Sequence, residues 1–166
     1  VAAQNALSNV RTLLGPTVTI DPSLEAVEER DWVLTGQGQN QPLCFGDKLW
    51  VVPPGQGSAY KNEAHVLLAP GLAFGSGSHL TTALCLTWLC ENSLAGKVVV
   101  DYGCGSGILG IAALKLGAER VIAIDHDHQA LTATQENAKR NQVASRLVAM
   151  TPEGCESVRT DIVIAN

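Results

Sequence analysis

The sequence predicts an α/β fold built on a doubly wound parallel sheet. Three observations predict it. From Gly96 onward, short apolar runs ("KVVVD", "RVIAID", "RLVAM", "DIVIAN") alternate with two helical patterns, "GILGIAALKLGA" and "DHQALTATQENAKRNQ". The runs are continuously apolar, as strands buried on both faces are. The first of them opens into a glycine-rich loop and then at once into a helix, the arrangement that places a ligand beyond the ends of parallel strands.

Taken in order, residues Ala2 to Leu14 show helical spacing at Leu7, Val10 and Leu14 and stop at Gly15-Pro16. "TVTI" reads as a short strand, and the acidic "DPSLEAVEERDWVL" follows it. "TGQGQNQP" is polar and carries glycines, as a linker or exposed loop does. "KLWVVPPG" is a strand closed by proline, and "HVLLAPGLAFGSGSHLTT" is a strand running into a small-residue loop. "TTALCLTWLC" is a helix with Leu84, Trp88 and Leu89 turned inward. The regular strand–helix alternation then begins, with sheet cover expected on both faces. It stops at Asn166, on a strand with no helix after it, so the chain reads as a fragment of a larger α/β domain.

The remaining composition narrows the function classes. A length of 166 residues suits one domain, and 46% hydrophobic content excludes extensive disorder. Net charge is −5 with no long run of Lys or Arg, so no direct nucleic-acid binding is expected. No apolar run reaches membrane-spanning length, and the start has no signal-peptide pattern. The five cysteines (Cys44, Cys85, Cys90, Cys104, Cys155) are odd in number and form no C-x-x-C, which favours reduced thiols and a cytoplasmic location.

The loop in "VVVDYGCGSGILG" matches the dinucleotide fingerprint G-x-G-x-x-G at Gly105 to Gly110, yet Asp101 stands just before it. A carboxylate a few ångströms from a pyrophosphate is repulsive, on the order of a few kcal/mol at an effective dielectric near 20. A phosphate-free cationic cofactor is attracted instead. S-adenosylmethionine carries an α-ammonium and a sulfonium, and the loop of Gly103, Gly105 and Gly107 admits its methionine portion. On this reading the match at Gly110, already inside the helix, is coincidence. Asp125 ends the next strand, where an acid can bind ribose hydroxyls in either cofactor class. The competing structural reading has the glycines making a tight turn and the acids capping helices. The full order strand, DxGxGxG, helix, strand, Asp weighs against it.

Three stretches together resemble one family, the bacterial ribosomal protein L11 methyltransferases: "PGLAFGSGSHLTTALCLTWL" (70–89), "VVVDYGCGSGILGIAALKLGA" (98–118) and "DIVIAN" (161–166), with "FGDKLWVVP" and "VEERDW" fitting the same pattern. The resemblance implies a Rossmann-like class I methyltransferase sheet, truncated here after its fourth core strand. It also implies a small α+β N-terminal domain that recognises substrate, of which residues 1–33 would be a remnant, 34–44 a linker and 45–166 the start of the cofactor-binding domain. The implied activity is transfer of methyl groups from S-adenosylmethionine to lysine and N-terminal amines of a ribosomal protein, leaving S-adenosylhomocysteine. By motif, the implied cofactor contacts fall on Thr82, Asp101, Gly103, Gly105, Gly107, Asp125 and Asn166. Asn166 and Phe74 would border the methyl-transfer pocket. Ser76 and Ser78 stand where the family has threonines, Leu80 where it has proline, and "TGQGQNQP" replaces a more aromatic linker.

Methyl transfer from a sulfonium is an in-line displacement governed by alignment, so an aromatic and small-residue channel is expected rather than a catalytic triad. The attacking lysine must lose its proton, from a reference pKa of about 10.4, and an apolar pocket lowers that value. His79 reads as a loop hydrogen-bonding residue rather than a general base, and His65 as structural. The run Asp125-His126-Asp127-His128 reads as loop and helix N-cap rather than a metal site. Cys104 reads as a small side chain that fits the loop, and Trp88 as core. Three rivals remain open: a methyltransferase of the same fold acting on another protein or a small molecule, a nicotinamide-binding oxidoreductase domain, and a non-catalytic binding module that holds cofactor yet transfers nothing.

Overall fold

The computed structural model describes residues 42–68, 80–155 and 159–166, all within one compact unit, Trp32–Asn166. The helix expected over Ala2 to Leu14, the strand "TVTI", the acidic segment through Trp32, most of the linker, and the loop bearing Phe74, Ser76, Ser78 and His79 lie outside the described residues.

Two sheets form. The smaller has β1 (Leu43–Phe45) antiparallel to β2 (Leu49–Val52), and β2 parallel to β3 (Ala64–Leu67). Strand β1 takes in Leu43 and Cys44, the last two residues of the segment expected as linker. Pro53 follows β2 directly, ending its ladder because proline has no N–H to donate. The larger sheet is parallel, with β4 (Val98–Tyr102), β5 (Arg120–Ile124), β6 (Leu147–Met150) and β7 (Ile162–Ala165) in the order β6-β5-β4-β7. Between them run α1 (Leu80–Glu91), α2 (Ile108–Lys115) and α3 (His128–Arg140). Strand, helix, strand, helix, strand, strand is the order that the apolar runs predict.

Alternation along the strands divides the core. Val99 and Val121 point to one face, where they join Leu86, Leu89, Ile108, Ile111, Leu131 and Ala138 from the three helices. Val100, Ile122 and Ile124 point to the other, where Val98, Met150 and Cys155 complete a smaller buried cluster. The helices described thus line one face, because the crossovers from β4 through β6 all run in one direction.

Helix α1 corrects the sequence reading. Its buried stripe is Thr82, Leu86, Leu89 and Cys90, while Leu84 and Trp88 are 70% and 45% exposed. The helix is apolar on every side, so spacing alone offers two stripes of equal merit. Tertiary contact decides between them: Cys90 Sγ donates to Phe45 O at 3.3 Å, and Lys48 Nζ reaches Cys90 O at 2.9 Å. Leu89 is inward as expected.

One side chain joins the two sheets through α3. Asn141, 2% exposed, accepts Leu67 N–H at 2.7 Å and donates from Nδ2 to Leu67 O and Asn137 O, both at 2.8 Å. Its amide thus pairs with β3 as a neighbouring strand would. Asn141→Ala in the full-length protein should lower stability by about 1–3 kcal/mol, since buried backbone groups lose their partner. The check is a fall in the urea midpoint with unchanged slope; an unmoved midpoint would show that water replaces the amide without loss.

Candidate functional site

The chain steps outward from β4 to β6, then returns to the opposite side of β4 with β7, so strand order reverses between β4 and β7. Open α/β sheets bind ligands beyond the carboxyl ends of strands at such a reversal. Those ends here carry the glycine loop after Tyr102, Asp125 after Ile124, and Asn166 after Ala165. The loop, the acid and the asparagine predicted from sequence therefore come together at one edge.

Gly103, Gly105 and Gly107 all take left-handed backbone, with φ of 74°, 53° and 77°. Gly103 and Cys104 donate their N–H groups to Ile124 O at 2.8 and 3.0 Å, which ties the loop to the end of β5. The glycines serve two different needs. A Cβ on Gly103 would have none of the described atoms within 4 Å, unlike those of Gly107 and Gly110. A Cβ on Gly107 would lie 2.8 Å from both Cγ2 and Oγ1 of Thr134, and one on Gly110 would lie 2.8 Å from Val121 Cγ1. Those two glycines face the fold. Gly110 lets α2 settle onto β5, the packing role of the third fingerprint glycine. Its match to the fingerprint is thus a packing requirement shared by both cofactor classes, not the coincidence expected from sequence.

Asp101 is turned inward. Strand alternation puts it on the helix face with Val99, where it is 1% exposed and its Oδ2 accepts Gly110 N–H at 2.8 Å in the first turn of α2. Burial pushes this carboxyl up to about 7, against the pull of the Gly110 N–H, and the charge of Asp125 raises it further. The direct attraction of a ligand expected of Asp101 is not a surface contact here; the residue supports the loop from beneath. Cys104 is likewise buried, which pushes its thiol up to about 12 despite the Thr134 hydroxyl beside it. That suits a small structural side chain rather than a nucleophile.

Asp125 is better placed for a ligand. Its Oδ2 accepts Gly105 N–H at 2.9 Å and its Oδ1 accepts Asp127 N–H at 3.0 Å. A carboxylate has about four acceptor positions, so two backbone donors orient it without saturating it. Asp127 caps α3 by accepting Gln129 N–H at 2.8 Å, the N-cap role read from the sequence. His126 is exposed, with Nδ1 3.6 Å from Asp125 Oδ1. Among the described residues, no group of three His, Cys, Asp or Glu is placed to hold a metal ion.

Asn166 Nδ2 donates to Thr82 Oγ1 at 2.9 Å. Two residues 84 apart in sequence, one opening α1 and one closing β7, thereby meet beside the glycine loop. Thr82 is 2% exposed, and Asn166 retains its amide oxygen as an acceptor. Phe74 lies outside the described residues.

Sequence reasoning missed Thr134 and Asn137. Both are buried on α3, and both bond loop carbonyls: Thr134 Oγ1 to Gly105 O at 3.1 Å, Asn137 Nδ2 to Ser106 O at 2.9 Å. The signal was present as a helical stripe of Ala130, Leu131, Thr134, Asn137, Ala138 and Asn141 in which polar groups replace apolar ones on the inward face.

The chain matches the family model described as ribosomal protein L11 methyltransferase over residues 2–166. It is 46% identical over 164 residues to a ribosomal protein L11 methyltransferase of Alteromonas mediterranea, covering 96% of this chain and 56% of that protein. It is 51% identical over 144 residues to one from Aeromonas hydrophila, covering 86% and 49%. The chain thus spans about half the length of the curated relatives it matches. Among solved structures, the ribosomal protein L11 methylase of Lactobacillus delbrueckii subsp. bulgaricus superposes with a TM-score of 0.65 at 33% identity, covering 76% of this chain and 66% of that one. The expected fold class stands on both counts, strand order and structural likeness.

Proposed function

Because this chain belongs to the ribosomal protein L11 methyltransferase family, we propose that it forms the cofactor-binding part of an S-adenosylmethionine-dependent protein methyltransferase. The substrate is ribosomal protein L11, methylated on lysine and N-terminal amines in the cytoplasm. Residues 45–166 belong to the cofactor domain, and residues 1–33 to a small recognition domain joined by the linker 34–44. No described helix is long and apolar enough to cross a membrane.

The observation that carries this reading is that no described atom stands over Gly103, while the strand register sets the oriented carboxylate of Asp125 and the amide of Asn166 on either side of it. The cradle suits a nucleoside ligand, and membership of a methyltransferase family favours S-adenosylmethionine over a dinucleotide. Asp125 has lone pairs left for ribose hydroxyls, Gly103 offers no side chain to block the methionine portion, and Asn166 presents an amide at the switch point. When bound, S-adenosylmethionine would serve as methyl donor to a substrate amine, with S-adenosylhomocysteine as the leaving product and the amine's proton released to solvent. The protein's part is alignment: a misplacement of about 1 Å costs on the order of a hundredfold in rate. Asn166, fixed by Thr82, is the residue placed to hold that alignment from the β7 side.

The test is calorimetry on the full-length protein, which should bind S-adenosylhomocysteine and show no binding of NADH. Transfer of labelled methyl to ribosomal protein L11 then separates this substrate from another protein or a small molecule. Asp125→Ala should weaken S-adenosylhomocysteine binding by about 1.5–3 kcal/mol, the range for hydrogen bonds to a charged group. Unchanged affinity would remove Asp125 from the ribose role.

A further inference from the structure

We propose that Thr134 and Asn137 of α3 are positioning residues for the cofactor: they fix the peptide planes of the glycine loop and, through them, the carboxylate of Asp125. The proposal rests on the cofactor reading above and adds to it the residues that set the shape of the site. Thr134 and Asn137 are buried and their donors are engaged by loop carbonyls, so they act on the site through the loop.

The geometry assigns each a carbonyl. Thr134 Oγ1 donates to Gly105 O at 3.1 Å and sits 3.4 Å from Cys104 Sγ. Asn137 Nδ2 donates to Ser106 O at 2.9 Å, while the Asn137 Oδ1 accepts from the Arg140 guanidinium. Arginine is only ever a donor, so it fixes which end of the Asn137 amide faces the loop. The Gly105 and Ser106 carbonyls are thereby drawn toward α3, and the peptide just before them, whose Cys104 O accepts Gly107 N–H at 2.7 Å, presents the Gly105 N–H to Asp125 Oδ2 at 2.9 Å.

Glycine needs such anchors more than any other residue. Three of the five residues from Gly103 to Gly107 lack a Cβ, so the free loop has many accessible conformations, and ordering it on ligand binding would cost entropy. Two hydrogen bonds from a rigid helix order it beforehand. The contact is close: a Cβ on Gly107 would overlap Thr134 at 2.8 Å. Gly107 is therefore the residue that lets α3 approach near enough for the Thr134 hydroxyl to reach Gly105.

Isosteric variants of the full-length protein separate hydroxyl from packing. Thr134→Val keeps the shape and removes the donor; Thr134→Ser keeps the donor and removes a methyl group. Thr134→Val should raise the Kd for S-adenosylhomocysteine by about tenfold, the equivalent of one lost hydrogen bond of ordinary strength. Thr134→Ser should stay within about twofold of wild type, although it loses more packing. The KM for S-adenosylmethionine should follow the Kd, with kcat at saturation nearly unchanged, a split that general destabilisation does not produce. Asn137→Asp, which presents a carboxylate oxygen to Ser106 O, should weaken binding at least as much as Thr134→Val and serves if the valine variant folds poorly. Wild-type affinity in both Thr134→Val and Asn137→Asp overturns the proposal, as does a Thr134→Ser variant as weak as Thr134→Val. If the unaltered protein fails to bind S-adenosylhomocysteine, the cofactor reading fails instead.

Discussion

Valine at position 103 is expected to abolish measurable binding of S-adenosylhomocysteine to the full-length protein, a loss of at least about a hundredfold, or about 2.7 kcal/mol, while the parallel sheet stays folded. Among the described residues, no atom lies within 4 Å of where a Cβ would stand. A branched side chain there meets none of the described atoms and would fill the space proposed for the ligand. It also carries a backbone cost, because φ is 74° and a β-branched residue in the left-handed region is strained by roughly 1–2 kcal/mol. Gly110→Val is the contrasting control. Its Cβ would lie 2.8 Å from Val121 Cγ1 and 3.2 Å from Asp101 Oδ2, so that substitution should destabilise the fold itself. Calorimetry for binding and a circular-dichroism melt for folding distinguish the two. Normal binding by Gly103→Val would mean that the ligand does not lie over this loop.

Much of this site was legible because parallel α/β sheets write their function in short strings. Continuous apolar runs gave β4 to β7, and the loop and acid positions followed from them, since a ligand edge must lie at the carboxyl ends of those strands. What was not legible had physical reasons. The strand period placed Asp101 at the loop, but only the packing of α2 shows that its carboxylate turns inward to Gly110. Helix α1 is apolar all round, so its sequence offered Leu84 and Trp88 as readily as Leu86 and Cys90. Asn166 and Thr82 were each placed by resemblance, and nothing in either string reveals that they touch. Thr134 and Asn137 went unread because polar residues in an amphipathic helix are ordinarily assigned to solvent, and here they face loop carbonyls that must be satisfied.

The second large effect is on pH dependence. Relative to an Asp101→Asn variant, the full-length protein is expected to lose stability as pH rises from about 4 to about 7, and to run parallel to the variant above that range. The carboxyl titrates at its ordinary 3.8 when unfolded and at about 7 when folded, because burial disfavours the charge more than the Gly110 N–H stabilises it. Between those values the folded state keeps a proton that the unfolded state has released. Stability falls with pH wherever the unfolded state binds fewer protons. Below the range both states are protonated, and above it both are ionised, so the slope is confined to the interval. Its integral is on the order of a few kcal/mol, at about 1.4 kcal/mol for each pH unit. Asparagine offers an oxygen to the Gly110 N–H without titrating. The comparison also cancels groups common to both proteins, such as Glu153 and Asp161, whose carboxyls are held below their ordinary values by hydrogen bonds and titrate in the opposite sense. Urea melts at closely spaced pH values supply the measurement. A constant difference between the two proteins from pH 4 to 8 would mean that the Asp101 carboxyl reaches water, and its interior seat against α2 would be wrong.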